Sequence, residues 1–320
     1  MLSAVWPQEG EVPHEDLLAS AEEFSSRQGR VVRVRTFGGW DVELLPDRGL
    51  DIGLALHGGV PVSWVSPVRD RRPLDRPRDR DWIARFHGGL MATCGLRGFG
   101  PPQEDRGLHG QAGHLPAGAV AVSRRVTAEA AEVAVSAVIE DARIFAPSLR
   151  LERTVTLRSW RGGRSALEVH DVLSNHGPGE AEIGMLYHVN LGAPLVASGS
   201  RITVRSDDLM HRGGVMTVDP AVYPAVAEGV DEHVVERTGF DGDQAVVTVT
   251  GTAGELALEW SAGTLPHLAQ WVYPARNRWA LGLEPATSSL VDEGAQLVRL
   301  PEGSSRRHEL RLSLENRVAM

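Results

Sequence analysis

The sequence predicts an all-β protein, an antiparallel sandwich or barrel, on three observations. Runs of β-branched and aliphatic residues in near alternation recur at roughly 10-residue spacing. Turn residues punctuate them throughout, with 35 Gly and 19 Pro spread over 320 residues. Long helical periodicity is scarce, and a parallel sheet would need crossover helices for which the chain has no room.

The elements follow in order. His14–Arg27 is the best helix candidate, with Pro13 before it and Gly29 closing it. Val31–Arg35 and Asp41–Leu45 alternate across Gly38–Gly39 and read as a hairpin. Ala119–Ser123, Ala131–Glu140, Leu149–Arg158 and Ser165–Ser174 continue the pattern, broken at Arg161–Gly163 and Gly177–Gly179. Further strands are expected at Glu182–Asn190, Arg201–Arg205, Gln244–Thr250, Glu255–Trp260, Pro266–Tyr273, Trp279–Glu284 and His308–Leu314. Gly95–Gly100 reads as a tight loop, and the charged, Pro-containing tract Arg69–Arg80 as a solvated one. With no linker and no repeat, residues 1–320 are expected to form a single domain with a helical segment at about 14–27.

Composition excludes several classes of function. The 33 basic residues are all Arg, against 42 acidic ones, for a net charge of −9. That balance speaks against nucleic acid or an anionic membrane as partner. Without Lys there is no Schiff-base chemistry and no phosphate-loop lysine. Cys94 alone supplies neither a disulfide framework nor a Cys-built zinc site. Met1–Asp16 has neither a basic nor an apolar leader pattern, and no run spans a bilayer, so a cytoplasmic protein is expected.

Polar residues inside apolar β segments are the candidates for chemistry. His109 sits between glycines in Gly107–Leu108–His109–Gly110. His188 and Asn190 share one face of the strand through Met185–Leu191. Glu284 ends an apolar strand where Pro285 stops the ladder. Gln270–Trp271 lies in another apolar run, and Trp271 has the flat face that stacks on a pyranose. Arg48 and Asp51 bracket Gly49–Leu50. Each also has a plain structural explanation: a bonded core histidine, a strand-end carboxylate, a packed indole, an ion pair at a turn. The remaining histidines, His57 and His87 among them, read as structural or surface residues.

These residues resemble a family. Leu108–His109–Gly110, the Asn175 turn leading to Tyr187–Gly192, and Gly282–Leu283–Glu284–Pro285 are similar to segments of the aldose 1-epimerases of galactose mutarotase type. Leu45–Ile52 and Gly282–Ala286 resemble a narrower aldose-1-epimerase-like subgroup. The resemblance runs from about Arg30 to Leu314 and implies a large antiparallel β-sandwich, the galactose mutarotase-like supersandwich. It implies a cofactor-independent isomerase that interconverts the anomers of a small-molecule carbohydrate, with homodimerisation left open. Glu284 matches the general base, His188 the general acid, His109 the second histidine, and Arg97 a sugar-binding arginine. Counting from Asn175 puts His188 on the family histidine, whereas aligning on Asn190–Leu191 puts it two residues later; both keep one strand face. Gln111 stands where the subgroup has Arg, and His114 where Asn is common. Two other readings compete: a non-catalytic carbohydrate-binding protein, and a metal-dependent isomerase or lyase using His109, His114 and His188.

Overall fold

A computed structural model describes residues 17–104, 106–213, 219–292 and 296–316. In chain order its strands are β1 (Ala19–Ser26), β2 (Gly29–Thr36), β3 (Trp40–Leu45), β4 (Asp51–His57), β5 (Val60–Pro61), β6 (Trp64–Val65), β7 (Gly88–Gly89) and β8 (Met91–Leu96). They continue with β9 (Ala117–Val126), β10 (Ala130–Asp141), β11 (Leu149–Trp160), β12 (Ser165–Asn175), β13 (Ala181–Leu191), β14 (Arg201–Val204) and β15 (Asp208–His211). The last are β16 (His233–Thr238), β17 (Ala245–Thr250), β18 (Gly254–Trp260), β19 (His267–Tyr273), β20 (Ala280–Ala286), β21 (Val298–Leu300) and β22 (Ser305–Asn316). A five-residue helix, α1 (Asp81–Arg85), lies between β6 and β7.

Two antiparallel sheets face each other. The larger runs β1-β2-β3-β4-β8-β13-β20-β19-β16-β15, with β5 and β21 attached at its side. The smaller runs β14-β17-β18-β22-β12-β11-β10-β9. The strands of the smaller sheet carry the alternation the sequence displays. In β10, Ala131, Val133, Val135, Ala137 and Ile139 are buried while their neighbours are half-exposed. Those inward side chains meet Val34, Val42, Leu44, Ile52, Leu281 and Leu283 of the larger sheet in one apolar core. The sandwich form is thereby settled over the barrel. Among the described residues no helix is long and apolar enough to cross a membrane.

A polar network is sealed inside this core. Arg153 donates from Nε and Nη2 to the two carboxylate oxygens of Asp171, at 2.9 and 2.7 Å. Tyr187 Oη donates to Asp171 at 2.7 Å, and Arg153 Nη1 donates to Thr93 Oγ1 and the Gly49 carbonyl. Charges this deep persist only when fully bonded.

The helix expected at 14–27 does not form where the structure describes it: residues 19–26 are strand β1, and His14–Asp16 lie outside the described residues. Ala19–Ser26 pairs with Gly29–Thr36 in unbroken register through a two-residue turn. Gly29, expected to close a helix, supplies the positive φ (110°) after that turn. A lone short helix is marginal in water, whereas a hairpin on a sheet edge gains a partner along its whole length. Gly95 and Leu96 likewise belong to β8 rather than to a loop. Gly95 (φ 109°) lies so close to β13 that a Cβ there would overlap the Gly184 carbonyl oxygen. The tract Arg69–Arg80 is a loop, but Arg71, Pro73 and Leu74 are half-buried, so it is not solvated along its whole length.

Candidate active site

Register across the larger sheet assembles the site. Val189 pairs with Leu283 and Asn190 with Gly282, which sets His188 beside Glu284 on adjacent strands. Trp271 pairs with Gly282 and Ala269 with Glu284 on the next strand. Leu281 and Leu283 point into the core, so Gly282 and Glu284 point outward. The result is a polar row on the outer face of the larger sheet, opposite the sandwich core.

Glu284 Oε1 lies 3.3 Å from His188 Nε2, and both side chains are almost wholly buried. Gly282 makes room for them. A Cβ there would stand 2.8 Å from Glu284 Oε1, 3.0 Å from His188 Cε1 and 3.1 Å from Trp271 Cβ. Asn190 donates from its side-chain amide to the His188 carbonyl at 2.8 Å. His109 reaches the same place from the loop before Gly110, with its backbone at φ 59° and its ring centroid 6.3 Å from that of His188.

Aromatic side chains roof the row. Trp82 of α1 stacks on Phe86 at 4.1 Å and approaches His109 at 4.6 Å and His188 at 6.0 Å. Phe86 and Trp271 stand 5.1 and 5.5 Å from His188, and Trp64 packs on both. Trp271 is anchored by its indole N–H, which donates to Glu232 Oε2 at 2.8 Å. The polar row is therefore covered by apolar rings.

Burial sets the protonation. It pushes Glu284 up to about 8, aided by the charges of Glu232 and Glu236 and opposed by Arg212. It pushes His188 down to about 3, with His109 adding to the effect, and His109 itself to about 3. Near neutrality the contact thus sets a carboxylic acid beside a neutral imidazole rather than a charged pair. Glu284 Oε2, His188 Nδ1, His109 Nδ1 and Asn190 Oδ1 are buried with no bonding partner. Unpartnered polar atoms under aromatic rings suit a ligand with many hydroxyls and an apolar face.

The structure thus gathers Glu284, His188, His109, Asn190 and Trp271. It separates the other residues singled out in the sequence. Gln270 points the opposite way, toward the core side with its cross-strand neighbour Leu283, and donates to the Pro220 carbonyl at 3.0 Å. Arg97 is committed elsewhere: it donates to Asp141 Oδ2 and to the Asp141 and Pro147 carbonyls at 2.6–2.9 Å. Asp51 belongs to the sealed network, accepting from Thr93 N at 2.9 Å and lying 3.7 Å from Arg153 Nη1. Arg48 is buried outside that row, and the Cys94 thiol lies in the fields of both Arg48 and Glu284. His114 does not join His109 and His188; its Nδ1 accepts from Leu74 N at 3.1 Å. Among the described residues no three His, Cys, Asp or Glu side chains gather into a metal-binding group.

Sequence reasoning missed Trp64, Trp82 and Phe86, which sit in segments without strand pattern. It also missed Glu236, which is two strands from Glu284 with Ala269 between them. Glu236 is fully buried, bonded to His267 Nδ1 at 2.9 Å and to the Leu290 N–H at 2.6 Å.

Comparison places this architecture. A candidate aldose 1-epimerase from Klebsiella pneumoniae superposes with a TM-score of 0.81 at 21% identity, over 92% of this chain and 83% of that one. A galactose mutarotase-like protein from Clostridium acetobutylicum gives 0.60 at 14% identity, over 93% and 99%. Galactose 1-epimerase from Lactobacillus acidophilus gives 0.57 at 11% identity, over 94% and 99%. At these identities the likeness is one of fold, and the fold is the galactose mutarotase-like β-sandwich. By sequence the chain belongs to the family described as a domain of unknown function, DUF4432, which matches residues 26–314. No curated protein matches it in sequence.

Proposed function

We propose that the protein is a mutarotase of aldose 1-epimerase type, an isomerase acting on a free or modified aldose in the cytoplasm. The observation that carries this reading is the buried contact of 3.3 Å between Glu284 and His188 under a roof of aromatic rings.

Anomer exchange needs a proton taken from O1 and a proton given to the ring oxygen. Both oxygens are bonded to C1, so two touching side chains can serve them together. The Glu284–His188 pair holds one proton in its resting form. Transfer of that proton from Glu284 to His188 yields a carboxylate and an imidazolium. The carboxylate then takes the O1 proton as the C1–O1 double bond forms and the C1–O5 bond breaks. The imidazolium gives its proton to O5. Rotation about C1–C2 presents the other face of the carbonyl, and closure returns both protons. Acid–base groups alone balance these steps. Each placed group contributes ~10²–10⁴ in rate, which suffices for a reaction that already runs slowly in water.

His109 and Asn190 are positioned to hold ring hydroxyls, and Trp271 and Trp82 to cover the apolar face of the sugar. The experiment is anomer-exchange NMR with neutral, acidic and phosphorylated aldoses. Glu284→Gln should lower catalysed exchange by at least ~10²-fold with the fold intact. Saturable sugar binding without any rate effect would instead favour a carbohydrate-binding protein.

A further inference from the structure

Four cationic or imidazole side chains from three segments gather beside the polar row. The turn Pro46–Arg48 packs against the turn Ala112–His114, where the Gly49 N–H donates to the Leu115 carbonyl at 2.7 Å. This brings Arg48 and His114 together. Gly113 leaves room between Arg48 and Asp51: a Cβ there would stand 3.4 Å from Arg48 Nη2 and 3.0 Å from Asp51 Oδ2. Arg85, at the end of α1, and His87 complete the group. Arg48 lies in the field of Arg85, His87 in that of Arg48, and His114 in that of both arginines.

The group holds more donors than the protein satisfies. Arg48 is 2% exposed and its Nε has no partner; His114 is 6% exposed and its Nε2 has none. Since His114 Nδ1 accepts from Leu74 N, its proton sits on that unpartnered Nε2. Arg85 Nε is also buried without a partner. Of the nearby carboxylates, Glu43 pairs with Arg71 at 3.1 Å, and Asp70 with Arg72 at 2.8 Å and Arg85 Nη1 at 3.3 Å. Asp51 accepts from Thr93 N through Oδ1, while its Oδ2 is buried without a hydrogen bond and its charge acts on Arg48. Asp81 acts on His114 only at longer range. Leaving several buried donors unmade is costly unless a ligand fills them. An acceptor-only group with several lone pairs, a carboxylate or a phosphate, matches them best.

The cluster borders the catalytic row. Arg85 lies three residues beyond Trp82 on α1 and directly before Phe86, the two rings over His188. The buried Cys94 thiol lies in the fields of both Arg48 and Glu284. We propose that Arg48, Arg85, His87 and His114 bind an anionic substituent of the sugar, so that the substrate is an acidic or phosphorylated aldose. This rests on the mutarotase reading and narrows its substrate class.

Calorimetric titration of the full chain with D-glucose and D-galactose, their uronates and their 6-phosphates tests it. At least one anionic class should bind tenfold or more tightly than its neutral parent, and the two arms tell carboxylate from phosphate. Arg85→Gln, at the edge of the cluster, and His114→Asn should each erase most of that preference, with thermal melts confirming the fold. Equal affinity for neutral and anionic sugars, no binding of any anionic sugar, or a preference that both variants retain would overturn the proposal. Anomer exchange on the same samples separates the two readings. A preference without exchange sinks the mutarotase and keeps the anion site; exchange without a preference does the reverse.

Discussion

Glu284 and His188 sit on adjacent antiparallel strands with 3.3 Å between Oε1 and Nε2, and burial moves their affinities for protons in opposite directions. Below about 8 one proton rests on Glu284 beside the neutral imidazole, and the titrations of two groups this close belong to the pair rather than to either residue. Catalysis that passes this proton between them requires it to be present. Exchange activity should therefore hold steady toward neutrality and fall about tenfold per pH unit above about 8, where the proton is lost. The log of kcat/KM against pH checks this, and a flat profile through pH 9.5 would rule it out.

The same carboxyl makes stability depend on pH with an unusual sign. Glu284 binds its proton more tightly in the folded protein, near 8, than in the unfolded chain at 4.5. Its stabilising effect is complete below the unfolded value and is lost as pH rises through the folded one. Glu284→Gln removes the dependence. The variant should match the native protein in Tm near pH 4.5 and exceed it increasingly up to pH 8, beyond which the gap stops growing. Thermal melts across that range measure it; parallel curves for the two proteins would contradict it.

How far the sequence reveals this architecture depends on what each residue's environment leaves on the chain. Strands of the smaller sheet are half-buried, and the alternation of β10 and β11 is plain. Most of β13 and all of β20 are buried on both faces and lose that period. There a polar residue in an apolar run, His188 or Glu284, becomes the visible sign. Gln270 gives the same sign and faces the other way, because register, not composition, assigns its face. Arg97 has its partner Asp141 44 residues away, a pairing no local pattern announces. Trp82 and Phe86 reach the site from a short helix in a charged stretch, where their aromatic character is the only clue. Glu236 reads as one carboxylate among many until its strand is placed beside β19.

Acid should unfold the protein from an onset set by histidines. Burial holds His87, His109, His114 and His188 down to about 3 and His308 to about 4. The unfolded chain protonates these rings near 6.5, so the stability their neutrality provides is present above that value and drains away below it. Denaturant midpoints should fall as pH drops from 6.5 toward 4, with the unfolded state taking up several protons. A midpoint that moves only below pH 4.5, where ordinary carboxylates titrate, would mean that these rings are not shielded.

The sealed Arg153–Asp171–Tyr187 network should matter to folding and not to chemistry, because it lies on the core side of the larger sheet. Asp171→Asn removes the carboxylate bonded to the buried Arg153 guanidinium and leaves it only Asp51 at 3.7 Å, a change expected to cost about 3–5 kcal/mol. Tyr187→Phe removes only the hydroxyl donated to Asp171 and should cost about 1 kcal/mol. Denaturant unfolding measures both.

The roof is the part whose loss should reach the chemistry through solvent. Trp82 is 6% exposed and lies between Phe86, His109 and His188. Trp82→Ala deletes that ring and should cost about 3–5 kcal/mol of stability. It also admits water to Glu284, whose proton affinity is raised chiefly by burial. The alkaline limb of the pH–activity profile should then move from about 8 toward the ordinary carboxylate range, while Trp82→Phe keeps it in place. Loss of stability in Trp82→Ala with an unmoved limb would show that Trp82 is only packing and that other groups keep the Glu284 carboxyl dry.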